Sequence, residues 1–184
     1  METAQESEGG GTVIYWKSSK AMDWETPQWL FDRLTREFAF DLDACASAEN
    51  TKCPMFLSED DDALSQSWVA PQSYTTRDAA GFDECWSIWM NPPYGRTMGD
   101  WMKKAYGESR EGATVVCLVS ACTDTKWWAD WVWKAAEVRF VTGRLKFTKG
   151  DGAAGPATKG SAIVVFTPWS QGPPSCRLLK QVDD

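Results

Sequence analysis

Residues Trp86 to Met90 form a short, almost wholly apolar run that Asn91-Pro92-Pro93 cuts off, and this junction constrains the chain more than any other feature. A run of that length without polar alternation fits a strand buried on both faces, as in the middle of a parallel sheet. Prolines cannot donate to a sheet ladder, so the strand stops there. Asn91 therefore falls at a strand's carboxyl end, the edge of an open α/β sheet at which ligands bind.

The residues at that edge suit one kind of chemistry. An exocyclic amine conjugated to an aromatic base is a poor nucleophile, because its lone pair is delocalised into the ring. Two acceptors aimed at its hydrogens, the Asn91 side-chain oxygen and the Pro92 carbonyl, favour a pyramidal nitrogen with its lone pair turned toward an electrophile. Pro92 and Pro93 hold that carbonyl with little entropy left to lose, and Tyr94 supplies a ring to stack on the base. An ordinary proline-rich turn after a core strand has the same composition, so the other segments must decide.

A chain of 184 residues, 43% of them hydrophobic, is the size of one α/β domain with a sizeable core. No apolar run reaches the length of a spanning helix without charges, so a soluble, cytoplasmic protein with no membrane partner is expected. The six cysteines never form a Cys-x-x-Cys pair and histidine is absent, which argues against a metal site and for reduced thiols. The missing histidine also excludes Ser-His and Cys-His mechanisms. Net charge is −7, yet residues 1–62 carry 14 acidic and 5 basic side chains, whereas residues 63–184 carry 12 and 14. Arg139, Arg144, Lys146, Lys149 and Lys159 are opposed only by Asp151, so a basic strip over 139–160 remains open to a polyanion.

Along the chain, residues 1–13 read as a disordered acidic tail, and order is expected from Ile14. Thr26 reads as the N-cap of a helix that starts at Pro27 and runs to about Glu37, with Leu30, Phe31, Leu34 and Phe38 on its apolar face. Phe38 to Asp43 alternates as a strand does and leads into Asp43-Ala44-Cys45-Ala46, a run of small residues that lets a ligand approach the backbone. A strand is expected at Pro54–Leu57, then the acidic run Glu59 to Asp62, in which Asp62, beside Ala63-Leu64, is best placed to accept hydrogen bonds from a sugar or an adenine amine. Residues 69–85 and 148–160 read as long loops, which in a compact domain are usually functional. Helices are expected from Thr97 to Ser109 and after Asp124, which reads as a cap, and strands at Ala113–Val119, Glu137–Thr142 and Ser161–Thr167. Trp127, Trp128, Trp131 and Trp133 crowd the second of these helices. The end of the chain, from about residue 171, reads as a surface tail.

Trp24-Glu-Thr-Pro27, Phe40-Asp-Leu-Asp43-Ala-Cys45-Ala46, Asp62-Ala-Leu64, Asn91-Pro-Pro-Tyr94 and Gly143-Arg144-Leu-Lys-Phe147, in this order and spacing, resemble the phage-type DNA adenine-N6 methyltransferases, small relatives of Dam. The resemblance covers about residues 22–167. It implies a single α/β domain over residues 14–170, with a Rossmann-like sheet that binds S-adenosylmethionine and carries helices on both faces. It also implies double-stranded DNA as partner and a target adenine flipped out of the duplex to meet Asn91, Pro92, Pro93 and Tyr94. Trp24, Thr26, Pro27, Asp43, Ala44, Cys45, Ala46, Asp62 and Leu64 fall where such enzymes meet the cofactor. Arg144, Lys146, Phe147 and Lys149 are the candidate DNA contacts, and 69–85 and 148–160 the candidate target-recognition loops. Two features depart from the pattern: Asp-Ala-Cys-Ala replaces the Gly-x-Gly turn common in other methyltransferases, and residues 69–85 are longer than usual. An Asn-Pro-Pro-Tyr loop also serves enzymes acting on RNA or on protein glutamine, and an inactive DNA-binding or anti-restriction protein is a further alternative. Oligomeric state is left open.

Overall fold

The computed structural model describes residues 25–69, 86–148 and 154–181. Trp24, Lys149 and residues 70–85 lie outside them. In chain order the strands are β1 (Leu42–Asp43), β2 (Met55–Phe56), β3 (Ser87–Met90), β4 (Thr114–Ser120), β5 (Glu137–Val141), β6 (Lys146–Thr148), β7 (Ala154–Pro156), β8 (Ser161–Phe166) and β9 (Ser175–Leu179). Seven of them form one sheet, ordered β2-β1-β3-β4-β8-β5-β9, and β6 and β7 pair as a separate antiparallel hairpin. Strands β2, β1, β3 and β4 are mutually parallel, β8 runs antiparallel to both its neighbours, and β9 is parallel to β5.

Strand periodicity divides the core into two layers. Ile88 and Met90 of β3, Val115, Cys117 and Val119 of β4, and Val164 and Phe166 of β8 pack in one cluster. Trp89, Val116, Leu118, Ile163 and Val165 alternate with them and pack in the other. Helix α1 (Gln28–Phe38) closes the second layer with Leu30, Phe31 and Leu34. Helices α2 (Met98–Arg110) and α3 (Lys126–Trp131) close the first with Trp101, Met102, Ala105 and Trp128. Each central strand is thus apolar on both sides, as the run before Asn91 implies, and each large side chain so buried contributes about 1.5–3 kcal/mol.

This layering positions the site. From β1 the chain steps outward to β2, whereas from β3 it passes through α2 to β4 on the other side. The carboxyl ends of β1 and β3, adjacent in the sheet, therefore form a topological switch point, where a crevice opens between diverging connections.

Several expected details are corrected. Pro27, not Thr26, is the N-cap of α1, and no side chain caps that end. The alternation from Phe38 to Phe40 is not a strand: α1 runs to Phe38, Ala39 turns left-handed (φ 49°) with its N–H on the Thr35 carbonyl, and the Phe38 and Phe40 rings stack 5.9 Å apart. Only Leu42–Asp43 is strand. Thr125, not Asp124, is the N-cap of α3, which lasts six residues before a short 3-10 turn. The end of the chain is not merely a tail, because β9 pairs with β5 and buries Leu179, covering backbone groups that an edge strand would leave open.

Candidate active site

The turn after β1 is tied down from three sides. Ala44 donates its N–H to the Trp89 carbonyl at 2.9 Å, Leu57 to the Asp43 carbonyl at 2.9 Å, and Ala46 to the Leu57 carbonyl at 3.0 Å. The Asp43 side chain, 3% exposed, accepts the N–H groups of Cys45 and Lys52, each at 3.3 Å. Desolvation pushes its carboxyl up to about 6, and these two N–H groups pull against that rise. Asp43 thus backs the turn, while Ala44, Cys45 and Ala46 form a floor of small side chains.

A cleft lies over this floor, lined also by Leu57, Ser58, Glu59, Asp62, Ala63, Pro93 and Trp101. Of the expected cofactor residues, Ala44, Cys45, Ala46 and Asp62 line it. Asp43 sits behind it, and Leu64 packs against the core, leaving Ala63 as the lining residue. Glu59 was missed in the acidic run. Its place follows from local chemistry: Ser58 donates its backbone N–H (2.8 Å) and its hydroxyl (2.6 Å) to Asp61, closing a one-turn capping box. That commits Asp61 to its own turn, so Glu59 and Asp62 are the carboxylates at the cleft.

The Asn91-Pro92-Pro93-Tyr94 loop leaves β3 beside this floor. Pro92 is buried, and Pro93 walls the cleft. The Asn91 side chain donates from Nδ2 to the Thr26 hydroxyl at 3.2 Å, and the Tyr94 hydroxyl lies 3.5 Å from Asn91 Oδ1. Burial pushes the Tyr94 phenol well above its ordinary value, so it stays a neutral donor. Tyr94 lines a second cavity, of about 510 Å³, with Met98, Ser120, Cys122, Trp127, Phe147, Lys159 and Ser161 among its walls. That volume is in the range of small-molecule sites.

The expected DNA contacts are divided by the fold. Arg144 and Lys146 are exposed, on either side of the buried Leu145. Phe147 is 6% exposed, part of the core under α1 and a wall of the second cavity. Arg139 leaves the basic strip altogether: it is buried, and its guanidinium pairs with Glu37 at 2.5 and 2.6 Å and with Glu137 at 2.8 Å. Lys159, at the rim of the second cavity, lies 3.3 Å from the Cys122 thiol. Of the tryptophans, Trp128 is core, Trp127 faces the second cavity and Trp133 is exposed.

Fold and loop together define the class, an α/β chain in which one loop at the topological switch point borders two cavities. The chain belongs to the DNA N-6-adenine-methyltransferase (Dam) family, which it matches over residues 16–182. It is 29% identical over 159 residues to the DNA N-6-adenine-methyltransferase of Haemophilus phage HP1 (strain HP1c1), an alignment covering 83% of this chain and 82% of the relative. To the DNA N-6-adenine-methyltransferase of Escherichia phage T1 it is 26% identical over 167 residues, covering 81% of this chain and 64% of that protein. Among the described residues no helix is long and apolar enough to cross a membrane, and no cluster of metal-ligating side chains occurs.

Proposed function

We propose that the chain transfers the methyl group of S-adenosylmethionine to the N6 amine of adenine in double-stranded DNA, with the cofactor in the cleft over Ala44-Cys45-Ala46 and the flipped adenine on the Tyr94 side of the loop. The family carries the reaction class, an adenine-specific DNA methyltransferase. The observation that carries the assignment of sites is that Pro93 and Tyr94 face two different cavities at one sheet edge.

The cleft suits the cofactor by its chemistry. Small side chains form its floor, Leu57, Pro93 and Trp101 offer apolar walls for a purine, and Glu59 and Asp62 offer carboxylates to ribose hydroxyls. The cofactor, when bound, supplies an electrophilic methyl group. The chain's own task is alignment: Asn91 Oδ1 and the Pro92 carbonyl accept the amine hydrogens, and Tyr94 stacks on the base. No histidine is needed for this.

The test is transfer of labelled methyl from S-adenosylmethionine to unmethylated duplex DNA, with RNA and a protein mixture in parallel and Asn91→Ala as control. Label recovered as N6-methyladenine, absent with the variant while cofactor binding persists, is the expected result. Label in RNA or protein instead would overturn the substrate, and cofactor binding without any transfer would favour an inactive DNA-binding protein.

A further inference from the structure

We infer that Thr26 is a positioning residue for Asn91, setting the plane of its amide, and not a cofactor contact. The inference rests on the proposed role of Asn91 in holding the target amine. Thr26 is only 4% exposed and belongs to the walls of neither cavity. What its hydroxyl meets is Asn91 Nδ2, 3.2 Å away and 65 residues along the chain.

Asn91 needs such a partner. Pro92 and Pro93 stiffen the backbone beyond it, but the last torsion of an asparagine side chain is broad, so the amide swings unless something grips it. Its other side-chain contact among the described residues, the Tyr94 hydroxyl at 3.5 Å, is too long to serve as that grip. The Thr26 hydroxyl takes one N–H and leaves Oδ1, with its two lone pairs, to face the substrate.

Thr26 is itself held on both sides. The Glu25 N–H bonds the Thr148 carbonyl of β6 at 2.8 Å, and the Pro27 carbonyl receives the N–H groups of Leu30 and Phe31 at 3.0 and 3.2 Å. Pro27 further restricts the backbone of the residue before it. The entry to α1 is thereby a fixed bracket standing across from the end of β3. This accounts for the Thr-Pro pair better than helix capping does, since Thr26 caps nothing.

The experiment compares Thr26→Val, Thr26→Ser and Asn91→Ala in the full chain, measuring kcat on duplex DNA and, separately, equilibrium affinity for S-adenosylmethionine by calorimetry. Loss of one neutral hydrogen bond predicts that Thr26→Val lowers kcat roughly tenfold with cofactor affinity within about twofold, and that Thr26→Ser, which keeps the hydroxyl, restores most of it. If Thr26→Val does not fold, Thr26→Ala takes its place under the same criteria. An unchanged kcat overturns the inference, as does a fall in cofactor affinity that matches the fall in kcat. Should Asn91→Ala keep full turnover, the proposed role of Asn91 fails first; an inactive Asn91→Ala beside a fully active Thr26→Val defeats the positioning role alone.

Discussion

Pro93 and Tyr94 are consecutive residues that face different cavities, Pro93 the small-residue cleft after β1 and Tyr94 the larger cavity toward α3 and the β6–β7 hairpin. One short loop therefore borders both chambers, and Asn91 stands at its root. A group transfer between two bound molecules requires such a boundary, because donor and acceptor must meet at one point while each is held by its own walls.

The two parts of the Tyr94 side chain should separate on mutation. Its hydroxyl lies 3.5 Å from Asn91 Oδ1, too far for the pair to carry much energy. Tyr94→Phe should thus keep turnover within about threefold, since a weak neutral hydrogen bond is worth under about 1 kcal/mol. Tyr94→Ala removes the ring and should cost about 1–3 kcal/mol in kcat/KM if base stacking is its role. Steady-state kinetics on one duplex substrate decide, and a Tyr94→Ala enzyme of normal efficiency would rule stacking out.

Arg144 and Lys146 are exposed beside the second cavity's Phe147 wall, so they are free to meet phosphates. Replacing both with alanine should leave the urea midpoint unchanged. It should make the plot of log affinity for DNA against log salt shallower by about 2, one for each phosphate that the protein no longer neutralises. A slope equal to that of the wild type would place the DNA elsewhere.

Arg139 should behave in the opposite way. It is buried under a fork to Glu37 and a further bond to Glu137, and its guanidinium lies over the Phe38 ring at 5.2 Å. Arg139→Met leaves the Glu137 carboxylate, which is 17% exposed, with Arg177 as its remaining partner, while Glu37, at 47%, is rehydrated. The loss should be about 1–3 kcal/mol, below that of a fully buried pair because one partner reaches water. Arg139→Lys should recover little, as an ammonium cannot reproduce the fork. Urea unfolding measures both, and the salt dependence of DNA binding should stay unchanged in each.

The legible parts of this chain are those decided by near neighbours. The end of β3 is written in four apolar residues around Ser87 and in two prolines, and the double-faced core in the composition of β4 and β8. Features that depend on distant partners were not visible. Arg139 looks like a surface charge because Glu37 lies 102 residues away. The end of the chain lacks an apolar pattern because β9 buries only Leu179, its other residues being exposed. Phe38 to Phe40 mimics strand alternation because a left-handed Ala39 places both rings on the same side of a helix end. Glu59 was within reach, since Ser58-x-x-Asp61 is a recognisable capping box that removes Asp61 from the candidates.

Asp43 gives the fold a pH dependence of unusual sign. Its ordinary carboxyl value of 3.8 rises to about 6 in the folded chain, chiefly through desolvation. Below the ordinary value both states hold the proton and Asp43 has no net effect. Between the two values the folded chain holds a proton that the unfolded chain has released, so rising pH favours unfolding, and the penalty is complete above about 6, at up to about 3 kcal/mol. Paired carboxylates act the other way: Glu37, lowered chiefly by its hydrogen bond from Arg139, adds stability that disappears as pH falls. The difference between wild type and Asp43→Asn isolates the Asp43 contribution. Asparagine still accepts one N–H of the turn but carries no charge, so stability of the wild type relative to the variant should fall from about pH 4 to about pH 7 and then level off. Urea titrations across that range provide the curve, and parallel profiles would mean that Asp43 ionises in the fold as freely as it does in water.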